Sequence, residues 1–176
     1  PNPGDAVIVL GGPAMLIGLG GGSASSTKKT NENADLDFAS VQRSNPEMQR
    51  RAQQVLDKFN ERSSKNPITF IHDVGAGGIS NAIPELAKDT NLGVEINLEN
   101  IDSADQTMSP MELWCNESQE RYVFTIPMKK VRALENICRK ERCPFSIAGQ
   151  LTEEKIIKIK FYEDEVVNLH LDDLFG

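Results

Sequence analysis

The chain is poor in cysteine and histidine, and the few it has are not spaced for metal binding or nucleophilic catalysis. Its 176 residues include three cysteines and two histidines. The cysteines form no Cys-x-x-Cys pair, so a zinc site is not indicated, and reduced thiols are expected. No Ser/His/Asp or Cys/His arrangement indicates a nucleophilic enzyme. The cysteines are Cys115, Cys138 and Cys143.

Positive charge and long apolar runs are also scarce. The net charge is −7, with 19 Lys and Arg against 26 Asp and Glu. Electrostatic binding to nucleic acid or to an anionic membrane is therefore not expected. No apolar run has the length of a membrane span, and residues 1–5 do not resemble a signal peptide, which favours a cytoplasmic protein. A phosphorylated ligand would have to be held locally, by backbone N–H groups or by a metal.

The usual nucleotide-binding motifs are missing. The run at residues 75–80 has Ser80 where a Rossmann fingerprint has its third glycine. No Gly-Lys-Ser/Thr follows, so it is not a Walker loop either. The sequence therefore contains no identifiable nucleotide loop of its own.

Strand and helix patterns alternate early in the chain and strands follow one another late. This order indicates an α+β fold, a layered mixed β-sheet flanked by helices, in a single domain of residues 1–176. The predicted strands are residues 6–10, 68–71, 93–98, 121–126, 144–148, 156–161 and 166–171. The predicted helices are residues 46–62, 80–89, 110–114 and 129–142, and Ser109 with Glu112 forms a capping box.

The most informative run lies between a predicted strand and a predicted helix. The apolar strand leads into Asp73, and Gly75, Gly77 and Gly78 follow before the helix. A carboxylate at a strand end, beside bare backbone at a helix N-terminus, suits a metal ion and a phosphate. The alternative is a helix-capping aspartate with glycines for tight packing, and the pattern leaves both open. The neighbouring His72 is expected to be structural.

A second glycine-rich run and one glutamine are weaker candidates. Gly20, Gly21, Gly22 and Ser23 offer backbone N–H groups and a hydroxyl for an anion nest, although such runs are also typical of flexible loops. Gln42 either projects its amide into a site or is an exposed loop residue.

A polar segment precedes the strand at residues 121–126. Its Glu117, Ser118 and Gln119 are placed to hydrogen-bond a polar ligand at the strand entrance. The alternative is a solvated turn with a surface pair between Glu120 and Arg121. The density of polar residues does not decide between them.

Taken together, five runs resemble phosphoribosylformylglycinamidine synthase, the large amidotransferase of purine biosynthesis. Within that enzyme they are similar to a C-terminal-type domain of the aminoimidazole ribonucleotide synthetase superfamily, which implies that domain's fold. The runs appear in the family's order over essentially the whole chain. They are residues 11–15, 18–26, 35–42, 70–81 and 114–123.

The resemblance implies an ATP-dependent carbon–nitrogen ligase that converts formylglycinamide ribonucleotide to formylglycinamidine ribonucleotide with ammonia from glutamine. It implies Mg²⁺ and ATP as cofactors, with ATP bound mainly by domains that this chain lacks. The expected partners are the substrate and the N-type synthetase and glutaminase domains of the same polypeptide. The chain is expected to be a domain of that larger enzyme and to be inactive alone.

The resemblance also assigns residues. Asp73 matches the family's magnesium ligand, whereas Gln42, Glu117, Ser118 and Gln119 match its substrate contacts. No residue is assigned as catalytic. The glycine loops are expected to contact phosphate or to line the site through Gly20, Gly21, Gly22, Ser23, Gly75, Gly77 and Gly78.

Two alternatives remain. One is a related synthetase, such as aminoimidazole ribonucleotide synthetase or selenophosphate synthetase, and the Asn-Glu-Ser-Gln-Glu-Arg run at 116–121 argues against it. The other is a structural half of a larger enzyme, which supports a neighbouring domain or binds an auxiliary nucleotide without catalytic contacts.

Overall fold

A computed structural model describes residues 1–12, 46–61, 67–74, 78–101, 108–115 and 121–175. These residues form one mixed sheet with helices against it, which confirms the predicted α+β layered fold. The strands are β1 (Ala6–Gly11), β2 (Phe70–Asp73), β3 (Gly93–Asn97), β4 (Arg121–Ile126), β5 (Phe145–Thr152), β6 (Ile156–Phe161) and β7 (Asp164–His170). The helices are α1 (Pro46–Glu61), α2 (Ile79–Thr90), α3 (Pro110–Cys115), α4 (Val131–Glu141) and α5 (Leu171–Phe175).

The sheet has seven strands in the order β2-β4-β1-β5-β3-β6-β7. Neighbouring strands are antiparallel except for β3 and β6, which are parallel. Because β1 and β2 are both antiparallel to β4, their C-terminal ends lie on either side of the beginning of β4. The register sets Gly11 opposite Arg121, and Asp73 opposite Tyr122.

Strand β1 is buried along its whole length because helices cover both faces of the sheet around it. Ala6, Ile8 and Leu10 point toward α1 and α4, whereas Val7 and Val9 point toward α2 and α3. Alternate residues of a strand face opposite sides, so a strand between two helical layers needs a continuous apolar run. The Ala-Val-Ile-Val-Leu run of β1 is such a sequence.

Two helix termini show how the sequence sets element boundaries. At the start of α3, Ser109 and Glu112 form the predicted capping box, in which each backbone N–H donates to the other's side chain at 3.2 Å. Helix α2 ends at Thr90 and is capped by Asn91, which adopts the left-handed conformation with φ 56°. Within the described residues, no helix combines the length and apolarity needed to cross a membrane.

The last part of the chain departs from the sequence prediction. Strand β5 continues to Thr152, although the prediction ended it at residue 148 before Gly149. The strand continues because Gly149 lies against the backbone of β3, where a side chain would meet Glu95 and Ile96. Strand β7 begins two residues before the predicted start, and α5 was not predicted.

Replacing Gly149 with alanine is expected to destabilise the fold. The added Cβ would lie 2.9 Å from the Ile96 Cα, closer than such atoms approach, so β3 and β5 would have to move apart. A cost of about 1–3 kcal/mol in the free energy of unfolding is expected, as for overpacking in a core. Gly12→Ala is the matched control, because its Cβ would make an ordinary 3.5 Å contact with Met48. Equal denaturation midpoints for the two variants would contradict the close packing at Gly149.

Two of the three free cysteines lie at the C-terminus of α4. Helix α4 ends in a Schellman motif: Arg142 adopts the left-handed conformation, and the Cys143 N–H donates to the Cys138 carbonyl at 3.0 Å. Both side chains are buried against α1 and β1. Burial raises the pKa of Cys138 to about 12 and that of Cys143 to about 11, so both stay protonated near neutral pH. They act as small apolar core residues.

Cysteine alkylation is expected to follow this burial. Near neutral pH, Cys115, which is only partly buried, should react with iodoacetamide well before Cys138 and Cys143. Mass spectrometry of the alkylated peptides measures the order. In denaturant the three thiols should react at similar rates, because burial no longer separates them. Early alkylation of Cys138 in the folded chain would contradict the assignment.

Candidate functional site

The ends of β1 and β2 and the beginning of β4 meet at one end of the sheet. We call this region the site edge and define it by Gly11, Asp73, Val74, Arg121 and Tyr122. The Val74 N–H donates to the Arg121 carbonyl at 3.0 Å and so joins β2 to β4 beyond the last strand pair. In chain order, residues 13–45 follow β1, residues 75–77 follow β2, and residues 116–120 precede β4. Among the predicted site residues that the structure describes, Asp73 belongs to the site edge and Gly78 precedes α2.

Asp73 is the last residue of β2 and is exposed. It lies opposite Tyr122, and both side chains are on the face covered by α1 and α4. Burial, and then the negative charge of Asp73, raises the pKa of Tyr122. In the part of the chain that the structure describes, no hydrogen bond or ion pair engages the Asp73 carboxylate. It therefore presents free ligand oxygens.

The beginning of α2 excludes a helix-capping role for Asp73. The N-cap is Gly78, and no side chain caps the helix, so Asp73 is not a helix cap. Gly78 has φ 61° and ψ −144°, a conformation that residues with a Cβ avoid. Glycine is therefore required at this position by the backbone itself. The result is an uncapped N-terminus of a 12-residue helix, a few residues after an exposed carboxylate.

His72 points to the opposite face from Asp73. Its Nε2 lies 2.9 Å from the Glu85 Oε2, so it connects β2 to α2. Both side chains are partly exposed, and such pairs contribute at most about 1 kcal/mol. This contact gives His72 a structural partner, in agreement with the expectation from sequence.

Arg121 is the residue that the sequence interpretation missed. The proposed surface pair between Glu120 and Arg121 is wrong, because the Arg121 side chain is only 1% exposed. Burial lowers its pKa to about 10, so it remains charged at neutral pH. No other Lys or Arg among the described residues is buried. The available signal was its place at the start of an apolar run, residues 122–126, typical of a strand buried on both faces.

The structure places only part of the predicted site. Asp73 and Gly78 are close in the chain at the end of β2 and the start of α2. The other predicted site residues lie outside the described residues: Gly20, Gly21, Gly22, Ser23, Gln42, Gly75, Gly77, Glu117, Ser118 and Gln119.

Among the described residues of the site edge, Asp73 is the one carboxylate that could bind a metal ion. No group of three or more His, Cys, Asp or Glu side chains in the described ranges is arranged to hold a metal ion. A single carboxylate suits Mg²⁺, which is commonly bound by one or two carboxylates together with water and substrate phosphates. The free oxygens of Asp73 therefore fit a magnesium ion that is completed by a phosphorylated ligand.

A comparison with models of protein families shows which family this chain belongs to. Residues 2–161 match the model described as AIR synthase related protein, C-terminal domain. The chain belongs to this family. The match includes all of β1 to β6, whereas β7 and α5 lie beyond it.

Relatives of this AIR synthase related domain are much longer. The chain is 51% identical over 177 residues to phosphoribosylformylglycinamidine synthase of Saccharomyces cerevisiae, covering 99% of this chain but only 13% of the relative. Among solved structures, Thermotoga maritima PurL complexed with FGAR matches with a TM-score of 0.85 and 24% identity, over 98% of this chain and 28% of that one. The same protein complexed with ATP matches with a TM-score of 0.76 and 22% identity, over 97% of this chain and 25% of that one. At these identities the structural matches show the fold.

The electrostatic interaction between Asp73 and Tyr122 in this AIR synthase related domain can be tested directly. Asp73→Asn should lower the pKa of Tyr122, because the charge of Asp73 is one of two causes that raise it. Part of the increase should remain, since burial is the larger cause. Tyr162→Phe leaves Tyr122 as the only titrating tyrosine, and ultraviolet absorbance follows its ionisation. Asp164→Asn is the control. Asp164 lies on β7, the edge strand farthest from β2, so this change should leave the pKa of Tyr122 unchanged.

Proposed function

We propose that this chain is a C-terminal-type domain of a phosphoribosylformylglycinamidine synthase and that its site edge binds formylglycinamide ribonucleotide together with Mg²⁺. The observation that carries the proposal is the exposed, unengaged Asp73 carboxylate beside the bare N-terminus of α2. The 51% identity to the yeast enzyme and the similar fold of a PurL complexed with FGAR support the choice of substrate.

The chemistry suits these groups. In the proposed reaction ATP transfers a phosphoryl group to the amide oxygen of the substrate, and ammonia then displaces phosphate to give the amidine. When bound, Mg²⁺ offsets the negative charge that gathers during phosphoryl transfer. Asp73 would hold the metal, and the N–H groups at the start of α2 would favour a phosphate. These groups bind and orient the substrate, and none of them forms a covalent intermediate.

The remaining predicted residues complete the proposal. Gln42, Glu117, Ser118 and Gln119 would supply the polar contacts to substrate. The glycines at 20–22, with Ser23, and the glycines at 75 and 77 would approach its phosphate or line the site. In chain order, these residues follow β1 (residues 13–45), follow β2 (residues 75–77) or precede β4 (residues 116–120).

The rest of the reaction would need other domains. The chain spans 13% of the yeast relative, and its sequence contains no nucleotide loop. We therefore assign ATP binding mainly to an N-type synthetase domain and ammonia production to a glutaminase domain, within one cytoplasmic polypeptide. An ATPase assay on this chain alone should show no turnover that depends on formylglycinamide ribonucleotide.

Binding of formylglycinamide ribonucleotide with and without Mg²⁺, measured by calorimetry, tests the proposal. Asp73→Ala should weaken metal-dependent binding by about tenfold or more, because contacts to a charged group contribute about 1.5–3 kcal/mol. The matched control is Asp164→Ala, an exposed aspartate on the opposite edge strand, which should bind normally.

Two outcomes would count against this function. Equal binding by Asp73→Ala and Asp164→Ala would remove the metal role of Asp73. No binding by the folded wild-type chain would favour the alternative in which this half only supports a neighbouring domain. Circular dichroism of each variant shows whether it is folded.

A further inference from the structure

The outer edge of β7 is an exposed strand edge. Strand β7 is the last strand of the described sheet, and all of its residues except Val167 are exposed. Edge strands commonly carry lysine or proline, which prevent further pairing, but β7 contains neither of them and no arginine. Within the described residues, no further strand pairs with this side of β7. Its outward backbone groups can therefore accept another strand.

The direction of the backbone groups follows from one hydrogen bond. The Leu171 N–H donates to the Lys155 carbonyl at 3.0 Å, on the side of β6. Because the N–H groups of successive residues point to alternate sides of a strand, those of Asn168 and His170 point away from β6. The bulge in the pairing with β6 lies earlier in β7, so residues 167–170 form a regular edge.

Apolar and aromatic side chains are exposed along the same strand. Val166 and Leu169 are 44% and 42% exposed, and Tyr162, in the turn before β7, is 69% exposed. Tyr162 and Glu163 adopt the left-handed conformation, with φ 47° and 74°. This conformation costs a residue with a Cβ about 1–2 kcal/mol. The Tyr162 N–H donates to the Glu99 carboxylate at 3.2 Å, so the turn that presents the tyrosine ring is held in place.

Both ends of β7 are acidic. Residues 163–165 at its beginning are Glu, Asp and Glu, and Asp172 and Asp173 follow its end. Among these five, only Glu165 forms an ion pair within the described part of the chain, with Lys158 at 3.7 Å. Negative charge at both ends is complementary to a strand with lysine or arginine at both of its ends. The exposed tyrosine ring can also bind a cation on its face.

The same charges disfavour a second copy of this chain at this edge. If two β7 strands paired antiparallel about Val167, the acidic beginning of each strand would lie next to the acidic end of the other. Like charges opposite each other in a strand pair are destabilising. A partner strand of opposite charge avoids this repulsion.

We propose that the outer edge of β7 is a docking site for an extended, basic segment of a partner protein, which adds one strand to the seven of the sheet. Side chains of the added strand would contact Val166 and Leu169, and its lysine or arginine side chains would approach the acidic ends of β7. Strand β7 is the edge strand farthest from β2, so this proposal does not rest on the proposed function.

Synthetic peptides test the docking by calorimetry. The probe is Lys-Lys-Val-Thr-Val-Thr-Val-Thr-Lys-Lys, and one control replaces each lysine with glutamate. A second control keeps the charge but is N-methylated at the central valine and at the threonine after it, so that each edge of the peptide lacks a central N–H. Both controls should bind about tenfold more weakly or worse, because charge contacts or hydrogen bonds are lost. Equal binding of the N-methylated peptide, or no saturable binding of the basic one, would overturn the proposal.

Variants of the chain test where the peptide binds. Asn168→Pro removes an outward N–H, keeps the bonds to β6, and should weaken binding by about tenfold. Glu163→Lys combined with Asp173→Lys reverses one charge at each end and should have a similar effect. The matched control combines Asp57→Lys with Asp89→Lys, two exposed aspartates on α1 and α2, and should bind normally. If Asn168→Pro does not fold, the two charge variants decide, and equal binding by them overturns the proposal.

Hydrogen exchange and sedimentation distinguish the occupants. When the basic peptide binds, exchange of the outward amides of Asn168 and His170 should slow, because the added strand accepts their hydrogen bonds. The chain without peptide should sediment as a monomer as its concentration is raised. A dimer that Asn168→Pro abolishes, and that the basic peptide does not displace, would show that a second copy occupies the edge and would overturn the proposal.

Discussion

The antiparallel pairing of β4 with both β1 and β2 is the constraint on which the site depends. It aligns the C-terminal ends of β1 and β2, so chain segments far apart in sequence meet at one end of the sheet. The register also decides which side chain faces which layer. A slip of one residue would exchange Asp73 and His72 between the two faces and break the contact of His72 with Glu85. Strand pairing thus fixes the geometry of this candidate site before any ligand is considered.

Burial on both faces of β1 makes that register unambiguous. Each face of the strand inserts apolar side chains into a different helical layer. A shift of β1 along its neighbours, or a rotation about its own axis, would therefore leave gaps in the core. Polar side chains can then be tolerated only at strand ends and at the sheet margins. Asp73 at the end of β2, and the pair formed by Glu95 and Lys160 on the open face near β7, follow this rule.

Local sequence signals predicted the regular parts of this structure. Apolar runs, proline at helix starts and the Ser109–Glu112 capping box located the elements from β1 to β6 and helices α1 to α4, because these signals act within a few residues. The signals failed where a distant backbone decides the outcome. Gly149 looked like a strand end and is instead a point of close approach to β3, and Arg121 looked like a surface residue because its burial depends on the layers that meet there.

Two residues differ from what local conformation and packing favour, and they lie at the site edge and at the start of α2 beside it. Gly78 adopts a conformation that other residues avoid, and Arg121 keeps a charge where a hydrophobic side chain would pack at lower cost. Both belong to the elements that begin or end next to Asp73. A sequence selected for stability alone would remove such features, whereas the proposed binding site would need bare backbone and a fixed strand end. The unfavourable choices therefore identify the same region as the exposed carboxylate, by a physical argument that does not use the resemblance to any known enzyme.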